Sequence, residues 1–150
     1  MAWLGKITAF VLFGVTSLAP SAEPTQAVPD DFVIALERTA CFGACPVYSV
    51  SIDAKGNVTY DGTRFVRVVG RQTERIAVSR VAALVATVDR IRFFELEDKY
   101  RELITDLPTT FVTVTRGGRT KRIEDYFGAP KSLKELERAI DETARVAGWI

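Results

Sequence analysis

Apolar and polar residues alternate along the first half of the chain. Phe32, Ile34 and Leu36 are separated by more polar neighbours, and residues 47–53 repeat the pattern. A period of two residues is typical of strands that bury one face and expose the other. The pattern predicts strands over 32–39, 47–53, 58–60 and 64–76, the last one long or bent and broken near Gly70.

Turn residues separate these strands. Gly56 suits the positive φ that a hairpin turn requires, and Asp61-Gly62 predicts a further turn. Later in the chain, Gly117-Gly118 predicts a two-residue hairpin between strands at 110–115 and 119–126. Strands joined by tight turns pair in the antiparallel direction.

The hydrophobic period changes after residue 78. Apolar residues then recur at three-and-four spacing, which predicts an amphipathic helix with Ser79 as its N-cap. A second helix is predicted from about Lys131. The apolar faces of the two helices are Val81, Leu84, Val85, Val88 and Ile91 in the first, and Leu133, Leu136, Ile140 and Ala144 in the second.

The predicted order of elements is therefore ββββαββα. Two amphipathic helices can cover one face of an antiparallel sheet. We expect an α+β fold with two layers, an antiparallel sheet and two helices packed on one of its faces. Residues 97–106 are charged and irregular, and no element is predicted there.

The N-terminus has the pattern of a secretory signal peptide. Lys6 precedes an uncharged, largely apolar run over 7–19, and small residues follow it. The run is shorter than the roughly 20 residues that a transmembrane helix needs, so an uncleaved anchor is the less favoured alternative. We predict a signal peptide at 1–22, a flexible spacer at 23–31 and a single domain at 32–150. The expected location is periplasmic or secreted, without a stable membrane anchor after cleavage.

Charge and composition exclude several classes of function. Removal of residues 1–22 takes away Lys6 and no acid, which leaves 19 basic residues against 19 acidic ones. A nucleic-acid binder usually has a basic excess, so no nucleic-acid partner is expected. The chain has no histidine, which excludes Ser-His-Asp and Cys-His catalysis and imidazole metal sites. No catalytic residue, cofactor or metal site is predicted.

Cys41 and Cys45 carry the most obvious chemistry. In an exported protein two nearby thiols normally form a disulfide, which Gly43 would help by allowing a sharp turn and Pro46 by stiffening its exit. A redox-active pair is the second alternative, with Arg38 as the nearest cation in sequence. Cu(I) binding by two thiolates is the third.

Other polar residues are weaker candidates. Asp106 could act as a base or ligand, although a residue in this position more often caps a turn through its side-chain oxygen. Glu124 and Asp125 are neighbours on a predicted strand and point to opposite faces, so they are not an acid–base pair. The arginines of the fourth predicted strand could form a basic stripe, although charges on an edge strand also discourage aggregation: Arg64, Arg67, Arg71 and Arg75.

Several strings resemble one bacterial family. They are Glu-Arg-Thr-Ala-Cys-Phe-Gly-Ala-Cys-Pro-Val-Tyr at 37–48, Thr-Asp-Leu-Pro-Thr at 105–109, Tyr-Phe-Gly-Ala-Pro at 126–130 and the closing Trp149-Ile150. Together they resemble the domain-of-unknown-function family 6438. The resemblance implies a small envelope or secreted protein of one domain and no assigned activity. Tyr126, like Arg38 and Asp106, is a weak binding candidate. Family members often have histidine before that tyrosine, where this chain has Asp125.

These observations favour a non-catalytic binding module of the bacterial envelope, stabilised by a Cys41–Cys45 disulfide. Its partner would be an envelope protein or a small ligand. The alternative is a thiol-redox or Cu(I)-handling protein that acts through the same two cysteines.

Overall fold

The computed structural model describes residues 27–150, so the predicted signal peptide lies outside the described residues. The strands and helices, in chain order, are β1 (Val33–Arg38), β2 (Val47–Asp53), β3 (Asn57–Arg64), β4 (Gly70–Arg75), α1 (Val78–Arg90), β5 (Lys99–Tyr100), β6 (Thr110–Arg116), β7 (Arg119–Asp125) and α2 (Lys131–Thr143). Short 3₁₀ helices follow each α-helix, at Phe93–Glu95 and Val146–Gly148.

All seven strands form one sheet in the order β4-β3-β2-β1-β6-β7-β5. The predicted α+β class is confirmed, but the predicted strand order lacks β5 and the sheet is not wholly antiparallel. β5 pairs with β7 in the parallel direction, with Lys99 opposite Glu124. The strand is two residues long in a charged segment, so no alternation marks it, and its position depends on backbone bonds to β7.

One face of the sheet is buried. Across the central strands Leu36 lies between Val50 and Val112, and Ile34 lies between Ile52 and Val114. All of these residues are at most 1% exposed. They form a single hydrophobic core with the apolar residues of both helices, including those predicted from the helical spacing. No helix among residues 27–150 is long and apolar enough to cross a bilayer.

Three boundary predictions were wrong. Asp61 and Gly62 do not form a turn but lie within β3, paired with both β2 and β4. Residues 64–76 are not one strand, because residues 65–69 form a bend between β3 and β4. Helix α1 begins at Val78 after Ala77 without a side-chain cap, so Ser79 is not its N-cap.

Position 62 requires glycine because other atoms lie where a Cβ would be. A Cβ there would lie 2.2 Å from the carbonyl oxygen of Val68 and 2.6 Å from the hydroxyl of Tyr60. The sequence signal for a turn was thus a signal for tight packing inside a strand.

Residues that precede β1 already contact the domain. Val28 packs against the core, and the Phe32 N–H donates to the Pro29 carbonyl over 3.0 Å. The Asp31 carboxylate accepts a 2.7 Å hydrogen bond from the Gly118 N–H at the opposite hairpin. Bonds from the Gly118 and Gly117 backbones lower the pKa of Asp31.

Candidate functional site

Cys41 and Cys45 form a disulfide in the connection between β1 and β2, with their Cα atoms 5.8 Å apart. Both cysteines are half-buried, as is Pro46 at the entry to β2. The Gly43 N–H donates to the Cys41 carbonyl over 3.0 Å, and Gly43 does not take a positive φ. The bond closes a short loop with Phe42 near its tip, where that side chain is 88% exposed.

The connection 101–109 lies beside this disulfide loop. The Thr39 N–H donates to the Thr109 carbonyl over 3.0 Å, and the Thr109 N–H donates back to the Thr39 hydroxyl over 2.9 Å. The Phe42 N–H donates to the Asp106 carbonyl over 3.4 Å. These bonds bring Asp106, a candidate from the sequence, next to the cysteine pair.

Asp106 acts in this turn chiefly through its backbone. Its φ is 75°, and its carboxylate accepts a 2.9 Å hydrogen bond from the hydroxyl of Thr105, its neighbour in sequence. Tyr126, a further candidate, fixes the same connection from the other side. Its hydroxyl donates to the Ile104 carbonyl over 2.6 Å, and the Arg101 guanidinium lies 5.3 Å from the centre of its ring.

Four connections therefore meet at one end of the sheet: 39–46, 65–69, 101–109 and 126–130. We call this surface the loop end. Of the exposed large hydrophobic residues in 27–150, only Val33, Val78 and Ile150 lie outside these connections. Those at the loop end are Phe42, Phe65, Val69, Leu103, Ile104, Leu107 and Phe127.

Arg38 does not point freely into this surface. Its guanidinium donates to the Tyr48 hydroxyl over 2.9 Å, to the Thr110 hydroxyl over 3.0 Å and to Asp141 over 2.7 Å. Burial lowers the pKa of Arg38, but the charge of Asp141 and the hydrogen bond to it outweigh this effect and raise the pKa. Arg38 is thus a fixed cation that ties β1 to β2, β6 and helix α2.

The Tyr48 hydroxyl belongs to the same network. It donates to Asp141 over 2.8 Å. Burial and the nearby Asp141 charge raise the pKa of Tyr48. The phenol therefore stays protonated as a donor, and it is not prepared to act as a base.

The model of the family Domain of unknown function (DUF6438) matches residues 32–144. The chain belongs to this DUF6438 family. The match extends from the start of β1 past the end of α2, so it includes the disulfide loop, Asp106 and Tyr126. The resemblance predicted from the sequence strings is thereby confirmed. No curated protein matches the chain.

Sequence reasoning missed a buried acidic pair in this DUF6438 domain. Asp125 at the end of β7 is 1% exposed and Glu137 on α2 is 3% exposed. Lys134 forms ion pairs with both carboxyl groups. Burial, followed by a hydrogen bond with Asp125, raises the pKa of Glu137 to about 8.

A pKa of about 8 keeps Glu137 protonated at neutral pH, and the charges around it agree with this state. The cluster holds three acids, Asp125, Glu137 and Asp141, and two cations, Lys134 and Arg38. Read as carboxylates, Asp125 Oδ1 and Glu137 Oε1 are buried without a hydrogen-bond donor. A proton on Glu137, donated to Asp125, makes the cluster neutral and supplies the missing donor. A signal was present in the sequence, because Glu137 falls within the apolar face marked by Leu133 and Ile140.

The described part of the chain does not bring together a set of metal ligands. No group of three or more Cys, Asp or Glu side chains there is arranged to hold a metal ion. The cysteines are joined to each other, and the neighbouring cation, Arg38, is occupied by Asp141. What the loop end offers is an apolar surface on a fixed scaffold.

Proposed function

We propose that this DUF6438 protein is an exported, non-catalytic binding module of the bacterial envelope, periplasmic or secreted, and that its loop end contacts the partner. The observation that carries the proposal is the uneven distribution of exposed apolar side chains, which are concentrated in the four connections at one end of the sheet. Large exposed apolar patches on soluble domains mark interaction sites, whereas scattered residues carry no such meaning.

The disulfide supports this function by limiting the motion of Phe42. An aromatic side chain held in place loses less conformational entropy on binding than one on a free loop. Residues of this type dominate binding energies when a partner buries them. The hydrogen bonds from the disulfide loop to residues 106 and 109 extend the fixed surface to Leu107, and the bond from the Tyr126 hydroxyl to the Ile104 carbonyl holds the chain next to Leu103.

Site-specific photo-crosslinking in the bacterium that produces the protein tests this proposal. A benzophenone amino acid replaces Phe42 in one variant and Leu103 in another. The matched control carries it at Val33, an exposed apolar position at the opposite end of the sheet. We expect discrete adducts, with protein or with lipid as read by mass spectrometry, from positions 42 and 103 and none from position 33. Equal adducts from all three positions, or none, would contradict a binding role of the loop end.

One observation favours the thiol-redox alternative: both cysteines are half-buried, so a small thiol can reach the bond. Against it, residues after Pro46 form a strand, so no helix N-terminus lowers a thiol pKa there. Measurement of the reduction potential by thiol trapping separates the two functions. A value below about −300 mV supports a structural disulfide, and one near −200 mV or above supports thiol exchange or, after reduction, Cu(I) transfer.

A further inference from the structure

The connection between β3 and β4, together with the strand ends that flank it, has an unusual composition. Residues 64–71 read Arg-Phe-Val-Arg-Val-Val-Gly-Arg, with three cations, four large apolar residues and no acid. Phe65 is 51% exposed and Val69 is 68% exposed, and the three arginines are exposed beside them. We call this segment the basic loop.

The basic loop is held firmly although its side chains are exposed. The Val68 N–H donates to the Trp149 carbonyl over 2.9 Å, and the Arg67 guanidinium donates to the Ala147 carbonyl over 3.0 Å. Val66 packs against the core. Phe65 has a φ of 55°, a conformation that bulky residues rarely adopt. The fold thus holds an aromatic ring in solvent at a backbone position that would suit glycine better.

The positive charges of the loop arginines are little neutralised by acidic residues of the domain. Among residues 27–150 neither Arg64 nor Arg67 is in an ion pair, and Arg71 lies 3.9 Å from Asp61 across an exposed surface. Arg64 lies over the Phe65 ring, 5.3 Å from its centre. The loop therefore presents exposed apolar side chains surrounded by positive charge. A surface complementary to it carries negatively charged groups around an apolar interior.

Given the proposed function, we propose that the partner of the loop end is an anionic lipid bilayer, met first by the basic loop. Aromatic and aliphatic side chains enter the boundary between headgroups and acyl chains, and arginine stems can lie along it while the guanidinium groups bind lipid phosphates. The other apolar residues of the loop end, such as Phe42 and Leu103, lie on the same end of the sheet and add contact area. A rigid surface of this kind gives reversible attachment without a membrane-spanning segment.

Vesicle co-sedimentation tests the proposal, with the chain as its own bacterium processes it and its N-terminus read by mass spectrometry. Vesicles of phosphatidylcholine with phosphatidylglycerol are compared with vesicles of phosphatidylcholine alone. The readout is the ratio of the two affinities, since any apolar segment retained at the N-terminus adds binding to both. We expect strong preference for the anionic vesicles, and weaker binding as salt rises.

The charge of the basic loop is tested with a triple variant, Arg64→Gln/Arg67→Gln/Arg71→Gln. It should weaken binding to anionic vesicles about a hundredfold, since each arginine near such a surface contributes about fivefold. The matched control removes the same charge from the exposed helix positions Arg80, Arg90 and Arg138. Equal losses in the two triple variants would overturn the proposal, because general electrostatics would then suffice.

A local probe tests the orientation. Phe65→Trp is compared with Val33→Trp at the opposite end of the sheet, on vesicles with bromine atoms in their acyl chains. Added quenching of Phe65→Trp alone supports insertion of the basic loop. If neither vesicle type binds while positions 42 and 103 still form photo-crosslinks to a protein, the partner is that protein, so the lipid inference fails and the proposed function stands. Concentration-dependent dimerisation lost in the basic-loop variant would instead assign the surface to a second copy.

Discussion

The Arg38 guanidinium donates to the Asp141 carboxylate over 2.7 Å and thereby joins the end of β1 to the end of helix α2. The Tyr48 hydroxyl donates to the other oxygen of the same carboxylate over 2.8 Å. Both contacts lie just below the disulfide loop, which starts three residues after Arg38. The network therefore fixes the base from which the loop end projects.

Substitution of Asp141 by Asn should lower the free energy of unfolding by about 1–3 kcal/mol, the usual cost of leaving part-buried donors without a charged acceptor. The half-buried guanidinium of Arg38 would then lose its main counter-charge. Urea unfolding of the purified chain measures the change. Glu142→Gln, an exposed change at the adjacent residue, should have little effect. Equal effects of the two substitutions would show that the network contributes nothing to stability.

The parts of the fold that depend on local pattern were predictable from the sequence. Helix α2 starts at Lys131, as its apolar spacing predicted, because more than three turns of one amphipathic stripe identify their own buried face. The strands with strict alternation, β1 and β2, were found for the same reason. The disulfide was the favoured alternative because spacing and compartment both pointed to it.

Features that depend on contacts between residues far apart in the sequence were not predictable from it. The two residues of β5 form a strand only because β7 offers its edge to them. The buried pair of Asp125 and Glu137 requires knowledge of which helix covers which strand. The loop end likewise exists only through topology, since Phe42 and Leu103 are sixty-one positions apart and their connections lie at the same end of the sheet.

Gly62→Ala should destabilise the domain by about 2 kcal/mol or more, because the added methyl group would overlap the Val68 carbonyl, 2.2 Å away, and the strand must shift to relieve it. Thermal and urea unfolding measure the effect. The matched control is Gly148→Ala, where nothing lies within 4 Å of the new Cβ. A Gly62 variant as stable as the Gly148 variant would mean that β3 adapts without cost.

Removal of the disulfide by Cys41→Ser/Cys45→Ser should cost about 2 kcal/mol of unfolding free energy, the chain-entropy value for so short a loop. The loss is modest because the hydrogen bonds from Thr39 and Thr109 also hold the connection. The variant should stay folded at room temperature, and the reduced wild-type chain should match it in urea unfolding. An unchanged midpoint in both would show that the bond does not contribute to stability.

The buried Glu137 should make the domain more stable as the pH falls from 8 towards 4.5. The pKa of Glu137 is about 8 in the folded chain against an ordinary value of 4.5, so between these values the unfolded chain releases a proton that the folded chain keeps. The free energy of unfolding then decreases as pH rises, by at most about 1.4 kcal/mol per unit, and levels off above pH 8. Glu137→Gln cannot ionise, so its curve should lack this slope and lie above the wild type at pH 9, whereas Glu142→Gln should keep it. Urea unfolding from pH 5 to 9 measures these curves, and parallel curves for wild type and Glu137→Gln would show that the pKa of Glu137 is not raised in the folded chain.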